Sequence, residues 1–510
     1  MTSPRFSVDS VSGPLYALLM ARCPAWNRLR PYQQAATDQL VVGSGGLFVF
    51  AGAGKTAIAL AAAFERDAFP LLVVTRAVGR HAWVRDALWV LEEPCAELWA
   101  GAAKGAGVHR DGSYSSLERA LRAARVVVTN YDILPKRIAE LCAVRWGGLI
   151  LDECHEVKMG YQPAKVHEAT KKIKPRRFEL AAALADSVRP RGPVWGLTAT
   201  PIRSCVRDLW GQLHILRPQD HPIRGGRNQS ARGRWDWLHY YTAARRSDWG
   251  GLDTTGSDHL EDLAAYLRKN FVILDRTAVV NELPRLQRDM VLVEPDWTKK
   301  GVSLGGGHEG AIATAASMKV DSVLELAMGY LADGLKVVIV VSRRALAVQL
   351  GAAVRQAIQR ELAQRVQNAL WCETTTGDTD VRDRARLCAE FQAWQGPAVL
   401  SATYDSVQTS MDLHQASALI FAALPSTPFG LHQMEGRVGR LGGVPATVHY
   451  VIAKGTIDER IKKILLDRLN IVEEVGVDTV RGDSVATLAG SVSEEEVLAG
   501  LRSWLEENPE

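Results

Sequence analysis

The 510-residue sequence has no uninterrupted apolar run near the ~20 residues that span a bilayer, so no transmembrane helix is expected. A short apolar stretch at 15–20 follows Asp9 and precedes no small-residue cleavage site, so no signal peptide is read. Paired cysteines are also missing. Cys23, Cys95, Cys142, Cys154, Cys205, Cys372 and Cys388 are scattered without a Cys-x-x-Cys, which excludes a disulfide framework or zinc ribbon. That usage fits a reducing, cytoplasmic compartment. No repeat of solenoid period is present. No charge sign dominates either: 61 Lys and Arg stand against 57 Asp and Glu, a net of +4. The balance is uneven along the chain, because residues 473–510 hold ten acidic and two basic side chains, leaving the rest at +12. A basic body suits a polyanionic partner but is equally an ordinary basic surface.

The sequence is 47% apolar and 23% charged, as in soluble globular proteins, and its length implies roughly two to four domains. Short β-branched runs alternate with Ala- and Leu-rich stretches: 47–50, 71–75, 126–129, 148–152 and 194–198, then 336–342, 398–403 and 418–422. Continuous apolar runs with helical spacers predict parallel sheets buried on both faces. They form two groups, 47–198 and 336–452. Between them, 219–320 has a different texture, Arg-, Gly- and Trp-rich at its start and Gly-rich near 300–310. The fold class expected is α/β, with two lobes.

The segment FVFAGAGKTAIAL (48–60) reads strand, Gly-rich turn, helix. Gly52 and Gly54, with Ala53 between them, let backbone N–H groups approach phosphate oxygens, and the following helix points its positive end at the same anion. Lys55 can reach the β- and γ-phosphates, and the Thr56 hydroxyl can ligate Mg²⁺. The first glycine of GxxxxGK[ST] is replaced by Val49. In GLILDECHEVK (148–158) an apolar strand ends in Asp152 and Glu153, at the edge where α/β sheets bind ligands. Asp152 would hold the Mg²⁺ shell, and Glu153 would orient or deprotonate the attacking water. The alternative is an acidic helix cap. Cys154 and His155 have no second pair to make a zinc site.

With its Asp-Glu-Cys-His box, the sequence resembles helicase superfamily 2. GLTATPIR (196–203) resembles the third motif, in which Thr198 and Thr200 would couple hydrolysis to lobe movement. HQMEGRVGRLG (432–442) resembles the sixth, implying catalytic roles for Gln433, Arg437 and Arg440, the last two as arginine fingers. The finer resemblance is to the Swi/Snf-like group of DNA translocases. LRPYQ (29–33) matches its opening motif, in which Gln33 would contact adenine. LLVVTRAVGRHAWVRDAL (71–88), VVVTNYDIL (126–134), LTATPIRSCVRDLWGQLHILRP (197–218), GDTDVRDRARLCAEFQ (377–392) and VHYVIAKGTIDERI (448–461) also fit. Arg76 stands where proline is usual, Met434 where many superfamily members have arginine, and SVQTSMDLHQAS (406–417) replaces a Gly-x-Gly-Leu-Asn motif.

The resemblance implies two tandem RecA-like parallel-sheet lobes with a helical insertion and a short acidic C-terminal tail. The expected division is an N-terminal segment 1–28, lobe 1 at 29–218, an insertion and linker at 219–320, lobe 2 at 321–472 and a tail at 473–510. It implies ATP and Mg²⁺ as cofactors and DNA as partner, double-stranded and not sequence-specific, with no membrane. Arg76, Arg80, Thr129 and Asn130 in lobe 1, and Arg343 and Thr409 in lobe 2, would hold phosphates. Trp83, Ser342, Gln408, Ser410, the basic run 171–177 and the Arg/Trp mixture at 224–249 are weaker candidates. Trp235 and Trp237 are expected to pack inward. Two rivals remain: a strand-separating or branch-remodelling helicase, and a scaffold without catalysis, against which the full set Lys55, Asp152, Glu153, Arg437 and Arg440 argues.

Overall fold

Each β-branched run forms a strand, and its continuous apolar character is explained by cover on both faces. The structure is a computed structural model that describes residues 22–43, 45–99, 113–157, 177–218, 231–246, 252–274, 283–299, 307–361, 370–408, 411–440, 442–476 and 488. The chain divides into two compact units, 1–49 with 53–201 and 206–274, and 50–52 with 202–205 and 275–510. Among the described residues, no helix is long and apolar enough to cross a membrane.

The first unit contains β1 (Gly46–Val49), β2 (Leu71–Thr75), β3 (Cys95–Glu97), β4 (Val126–Asn130), β5 (Gly148–Asp152) and β6 (Val194–Thr198). A two-stranded antiparallel pair follows, β7 (Arg245–Arg246) and β8 (Leu252–Asp253), then β9 (Val272–Leu274). The sheet runs β3-β4-β2-β5-β6-β1-β9 and is parallel throughout. Leu47, Phe48, Val73, Val127, Ile150 and Leu197 are fully buried in it. Gly46 is required for close approach, since a Cβ there would lie 2.0 Å from the Gly196 carbonyl oxygen on β6.

The second unit contains β10 (Leu286–Val293), β11 (Lys336–Val341), β12 (Trp371–Thr375), β13 (Ala398–Thr403), β14 (Ala418–Phe421) and β15 (Ala446–Ala453). Its parallel sheet runs β10-β15-β14-β11-β13-β12. Val338, Ile339, Leu400, Ile420 and Val451 lie in one apolar core.

The segment 219–320, expected as an insertion and linker, contributes to both sheets. Its later parts are edge strands of the two sheets: β9 pairs with β1, and β10 pairs with β15. As an edge strand, β10 alternates between half-buried and exposed positions over its first half, residues 286–289, and turns apolar and more buried only over residues 290–293. The inward packing expected of two tryptophans holds for one. On the helix Ala231–Thr242, Trp237 is fully buried, whereas Trp235 is exposed. A last helix spans Ile457–Glu474, and the acidic stretch beyond 476, apart from residue 488, lies outside the described residues, as do 171–176, Arg224, Arg227 and Trp249.

Buried charge fixes the second unit's sheet to its helices. Lys319 and Asp458, both fully buried, are ion-paired, and Lys319 also donates to the Val451 carbonyl. Arg288 on β10 pairs with Glu435 at 2.8 Å, and the Tyr450 hydroxyl on β15 donates to the same carboxylate. Burial pushes the Glu435 carboxyl up, but the Arg288 charge, His432 and the Tyr450 hydroxyl outweigh it and hold it below the ordinary value. The pair's stabilisation is therefore complete at neutral pH and is lost as pH falls below the ordinary carboxylate range through the depressed value. Arg288→Met, which strands a buried carboxylate, should cost about 3–5 kcal/mol at pH 7. The gap from wild type should narrow on acidification, as the stranded carboxyl takes up a proton. Calorimetry of both chains across pH checks this, and equal transition temperatures at pH 7 would refute it.

Candidate nucleotide-binding site

Three neighbouring strands end at one edge of the first sheet. The order β5-β6-β1 and the register Asp152–Leu197 and Phe48–Thr198 bring the ends carrying Asp152, Thr198 and the Gly-rich turn side by side. In a parallel sheet this carboxyl edge is where ligands bind. The turn after β1 leads into the helix Lys55–Glu65. Gly54 is left-handed, with φ +80°, and a Cβ there would meet the Gln33 amide nitrogen at 2.3 Å. Gln33 Nε2 and the Tyr32 hydroxyl donate to the Ala53 carbonyl at 3.0 and 3.1 Å, and Gln33 Oε1 accepts from the Arg30 N–H. Gln33 thus holds the turn that presents Lys55 and Thr56. Gly52, with φ +89°, completes it.

Asp152 is oriented by three donors. Thr75 Oγ1 and Trp83 Nε1 donate to its Oδ2 at 2.7 and 2.9 Å, and the Glu153 N–H donates to Oδ1 at 3.0 Å. The Tyr131 hydroxyl donates to its carbonyl at 2.8 Å. A carboxylate has about four lone-pair sites, so three donors leave one direction for a cation. That suits Mg²⁺, which takes one or two carboxylates together with waters and phosphate oxygens. Asp152, with the Thr56 hydroxyl opposite the turn, could hold it.

Glu153 has φ +50°, a conformation few non-glycine residues adopt, and such strain is often kept at functional sites. Its Oε2 lies 3.3 Å from His155 Nδ1 and accepts from Thr198 Oγ1 at 3.4 Å. The same ring nitrogen is 2.8 Å from Thr198 Oγ1, which also accepts from the Thr200 N–H at 3.0 Å. Hence Thr198 meets the expected base, Thr200 reaches it only through Thr198, and His155, fully buried, bridges Thr198 and Glu153. Cys154 donates to Gln212 Oε1 at 3.2 Å, and burial pushes its thiol well up, so it is a neutral structural group.

The residues expected on phosphates divide. Arg80 is buried, 3.1 Å from Glu97, with its guanidinium 3.8 Å over the Trp99 ring. Thr129 is fully buried and donates to the Leu98 carbonyl. Asn130 is buried and accepts from the N–H groups of Asp132 and Ile133. In these three the polar groups serve the loops they sit in and are largely enclosed. Trp83, also buried, serves Asp152. Arg76 is partly exposed, 3.8 Å from Glu156, and Arg343 is half-buried just after β11. Thr409, Ser410 and the Gln408 side chain lie outside the described residues.

In the second unit, Gln433 and Arg437 lie on the helix Pro428–Val438, capped by Thr427 through the Gly430 N–H. Gln433 is buried, and Arg437 is half-buried. Arg440 Nε donates to the Gly436 carbonyl at 2.7 Å, and its NH1 lies 3.6 Å from Asp412. Met434 is fully buried in the core, which is why an apolar residue stands there. Thr75 and Tyr131 were missed by sequence reasoning, while Trp83 was expected only as a weak phosphate contact and His155 only as part of the Asp-Glu-Cys-His box.

A SNF2-related domain model matches residues 51–224, and a helicase conserved C-terminal domain model matches residues 318–442. The chain belongs to helicase superfamily 2, in the Swi/Snf-like group. It is similar to the Xenopus tropicalis SWI/SNF-related matrix-associated actin-dependent regulator of chromatin subfamily A-like protein 1, 25% identical over 88% of this chain and 45% of that one. The Drosophila melanogaster protein of that name is 23% identical over 88% and 56%. The Mus musculus DNA annealing helicase and endonuclease ZRANB3 is 21% identical over 84% and 38%. The chain spans about half the length of the curated relatives it matches. The SNF2-related match begins in the Gly-rich turn and ends at 224, although the first unit continues to Leu274.

In this Swi/Snf-like site, Trp83 sets Asp152. Trp83→Phe keeps the buried ring and removes one donor, so Mg²⁺ affinity in the presence of ADP should weaken about tenfold or more. Metal-free nucleotide affinity should change little. Calorimetric titration of Mg²⁺ into the ADP-loaded chain distinguishes the two, and an unchanged Mg²⁺ affinity would remove Trp83 from the site.

Proposed function

We propose that the chain is an ATP- and Mg²⁺-dependent motor that moves along DNA, double-stranded and without sequence preference, in the reducing setting of the cytoplasm. The observation that supports this most is the Asp152–Glu153 pair, one carboxylate oriented by Thr75 and Trp83, the other held by Thr198 and His155, beside the turn carrying Lys55. Lys55 and the helix N-terminus would bind the β- and γ-phosphates. Bound Mg²⁺, held by Thr56 and Asp152, would offset charge on those phosphates. Glu153 would accept the proton of the attacking water. Arg437 and Arg440, brought up by lobe closure on DNA, would stabilise charge spreading over the transferred phosphoryl group, with Gln433 placing it. Arg76, Arg343 and Thr409 would hold the DNA backbone, so contacts would carry little sequence information. Repeated closure would ratchet the strand. Similarity to the mouse DNA annealing helicase and endonuclease supports DNA over RNA.

Turnover measured without nucleic acid, and with single-stranded DNA, duplex DNA and RNA, should rise most with duplex DNA. Lys55→Ala should abolish it, and Glu153→Gln should bind ATP without turning it over. Arg437→Ala and Arg440→Ala should each lower turnover by about a thousandfold with ATP affinity nearly kept. Near-normal turnover in Glu153→Gln would refute the assigned base. Strand displacement without triplex disruption would replace translocation on duplex DNA with strand separation.

A further inference from the structure

Glu156, one residue past the Asp-Glu-Cys-His box, is approached from three directions. Its Oε2 accepts from Arg177 NH1 at 2.5 Å, while its Oε1 lies 3.8 Å from Arg76 Nε and 3.8 Å from His155 Nε2. Arg177 donates to Asp132 as well, at 2.6 Å. On the other side of the imidazole, Nδ1 faces Thr198 Oγ1 and Glu153 Oε2. One fully buried ring therefore has the expected hydrolytic carboxylate at one nitrogen and Glu156 at the other. Glu156 is itself largely buried and shared with two partly exposed arginines, Arg76 after β2 and Arg177 at the start of the helix Arg177–Val188.

We propose that Glu156 is a positioning residue that transmits phosphate binding at Arg76 and Arg177, through the His155 ring, to Glu153. The inference rests on the motor reading above and adds the route by which DNA would stimulate turnover. Ion pairs of partly exposed arginines are weak, so a phosphodiester can exchange for the carboxylate. While both arginines rest against Glu156, its charge is largely compensated and it has little pull on His155. Once they turn to phosphate, the carboxylate faces Nε2, and a shift of about 1 Å brings the two into hydrogen-bond range. Which imidazole nitrogen carries the proton is set by the partner of the other. A charged Glu156 selects the tautomer with the proton on Nε2, and Nδ1 becomes an acceptor for the Thr198 hydroxyl. Glu153 then loses the Thr198 donor and is released to hold the attacking water. Glu156 also competes with DNA for its two arginines, so the free protein binds DNA less tightly than its basic loops alone would.

These two effects separate in one substitution. Glu156→Gln keeps the shape and one acceptor for Arg177 but removes the charge. Duplex binding, read by anisotropy on the full chain at low salt, should tighten about two- to fivefold as the arginines are released. The ratio of turnover with saturating duplex to turnover without DNA should nevertheless fall about threefold or more. KM for ATP should not move, and Glu156→Asp should restore most of the stimulation. An unchanged stimulation ratio in Glu156→Gln would overturn the proposal. So would binding and stimulation that weaken together with a lowered melting temperature, the mark of a purely structural acid. A wild-type chain without DNA-stimulated turnover would defeat the motor reading itself and this inference with it, and it shows before any variant is made.

Discussion

Asp152 accepts hydrogen bonds from Thr75 on β2, from Trp83 on the following helix and from the next backbone amide, while Tyr131 donates to its carbonyl. Those partners come from three strand-to-loop junctions that are far apart in sequence. They converge because β4, β2 and β5 are adjacent and parallel, so all their carboxyl ends open at one edge. The direction of one carboxylate thus depends on the register of three strands. A slip in any of them would move a donor by a residue and turn it to the other face. Buried Trp83 and Thr75 also keep water from the side of Asp152 that faces the sheet, which strengthens each remaining interaction.

The second unit solves a related problem with charge. Its helix Pro428–Val438 carries Gln433 and Arg437 and must sit firmly on the sheet. Apolar packing through Leu431, Met434 and Val438 gives affinity without a unique rotation about the helix axis. Glu435 supplies that rotation, because its carboxylate must reach both Arg288 on β10 and Tyr450 on β15. A buried ion pair is weak evidence for net stability, yet its directionality can specify one arrangement. Placing it two residues before Arg437 puts the constraint where orientation of an arginine matters most.

What was legible in the sequence follows the same physics. Strands covered on both faces are written as unbroken apolar runs, and β2, β5, β6 and β13 begin and end where the runs do. The edge strands β9 and β10 carry only short apolar pieces, Val272–Leu274 and residues 290–293, inside a segment of different texture, and that segment reads as an insertion. The Gly-rich turn and the acidic pair were legible as short motifs directly after apolar strands, and the fold brings both to one edge of the first sheet. The residues that orient them were not. Trp83, Tyr131 and His155 act through contacts between separate loops, and nothing local in a helix such as Arg80–Leu91 marks which face will meet a carboxylate.

The arginines show why charge is the least legible feature of all. The sequence places Arg76, Arg80 and Arg177 in loops that a polyanion could reach, and counting them as such treats them alike. The fold gives them different neighbours. Arg80 is enclosed between Glu97 and Trp99, where a desolvated guanidinium already has a carboxylate and an aromatic face. Withdrawing it to meet a phosphate would leave Glu97 without that partner, so it is a structural cation. Arg76 and Arg177 share Glu156 while keeping part of their surface in water. Their ion pairs are of the kind that salt and phosphate can displace. A net positive body therefore overstates what is available to a nucleic acid. The usable charge is what remains after each arginine is matched to the acid the fold sets beside it, and in the first unit that acid, Glu156, lies against the ring that joins Thr198 to Glu153.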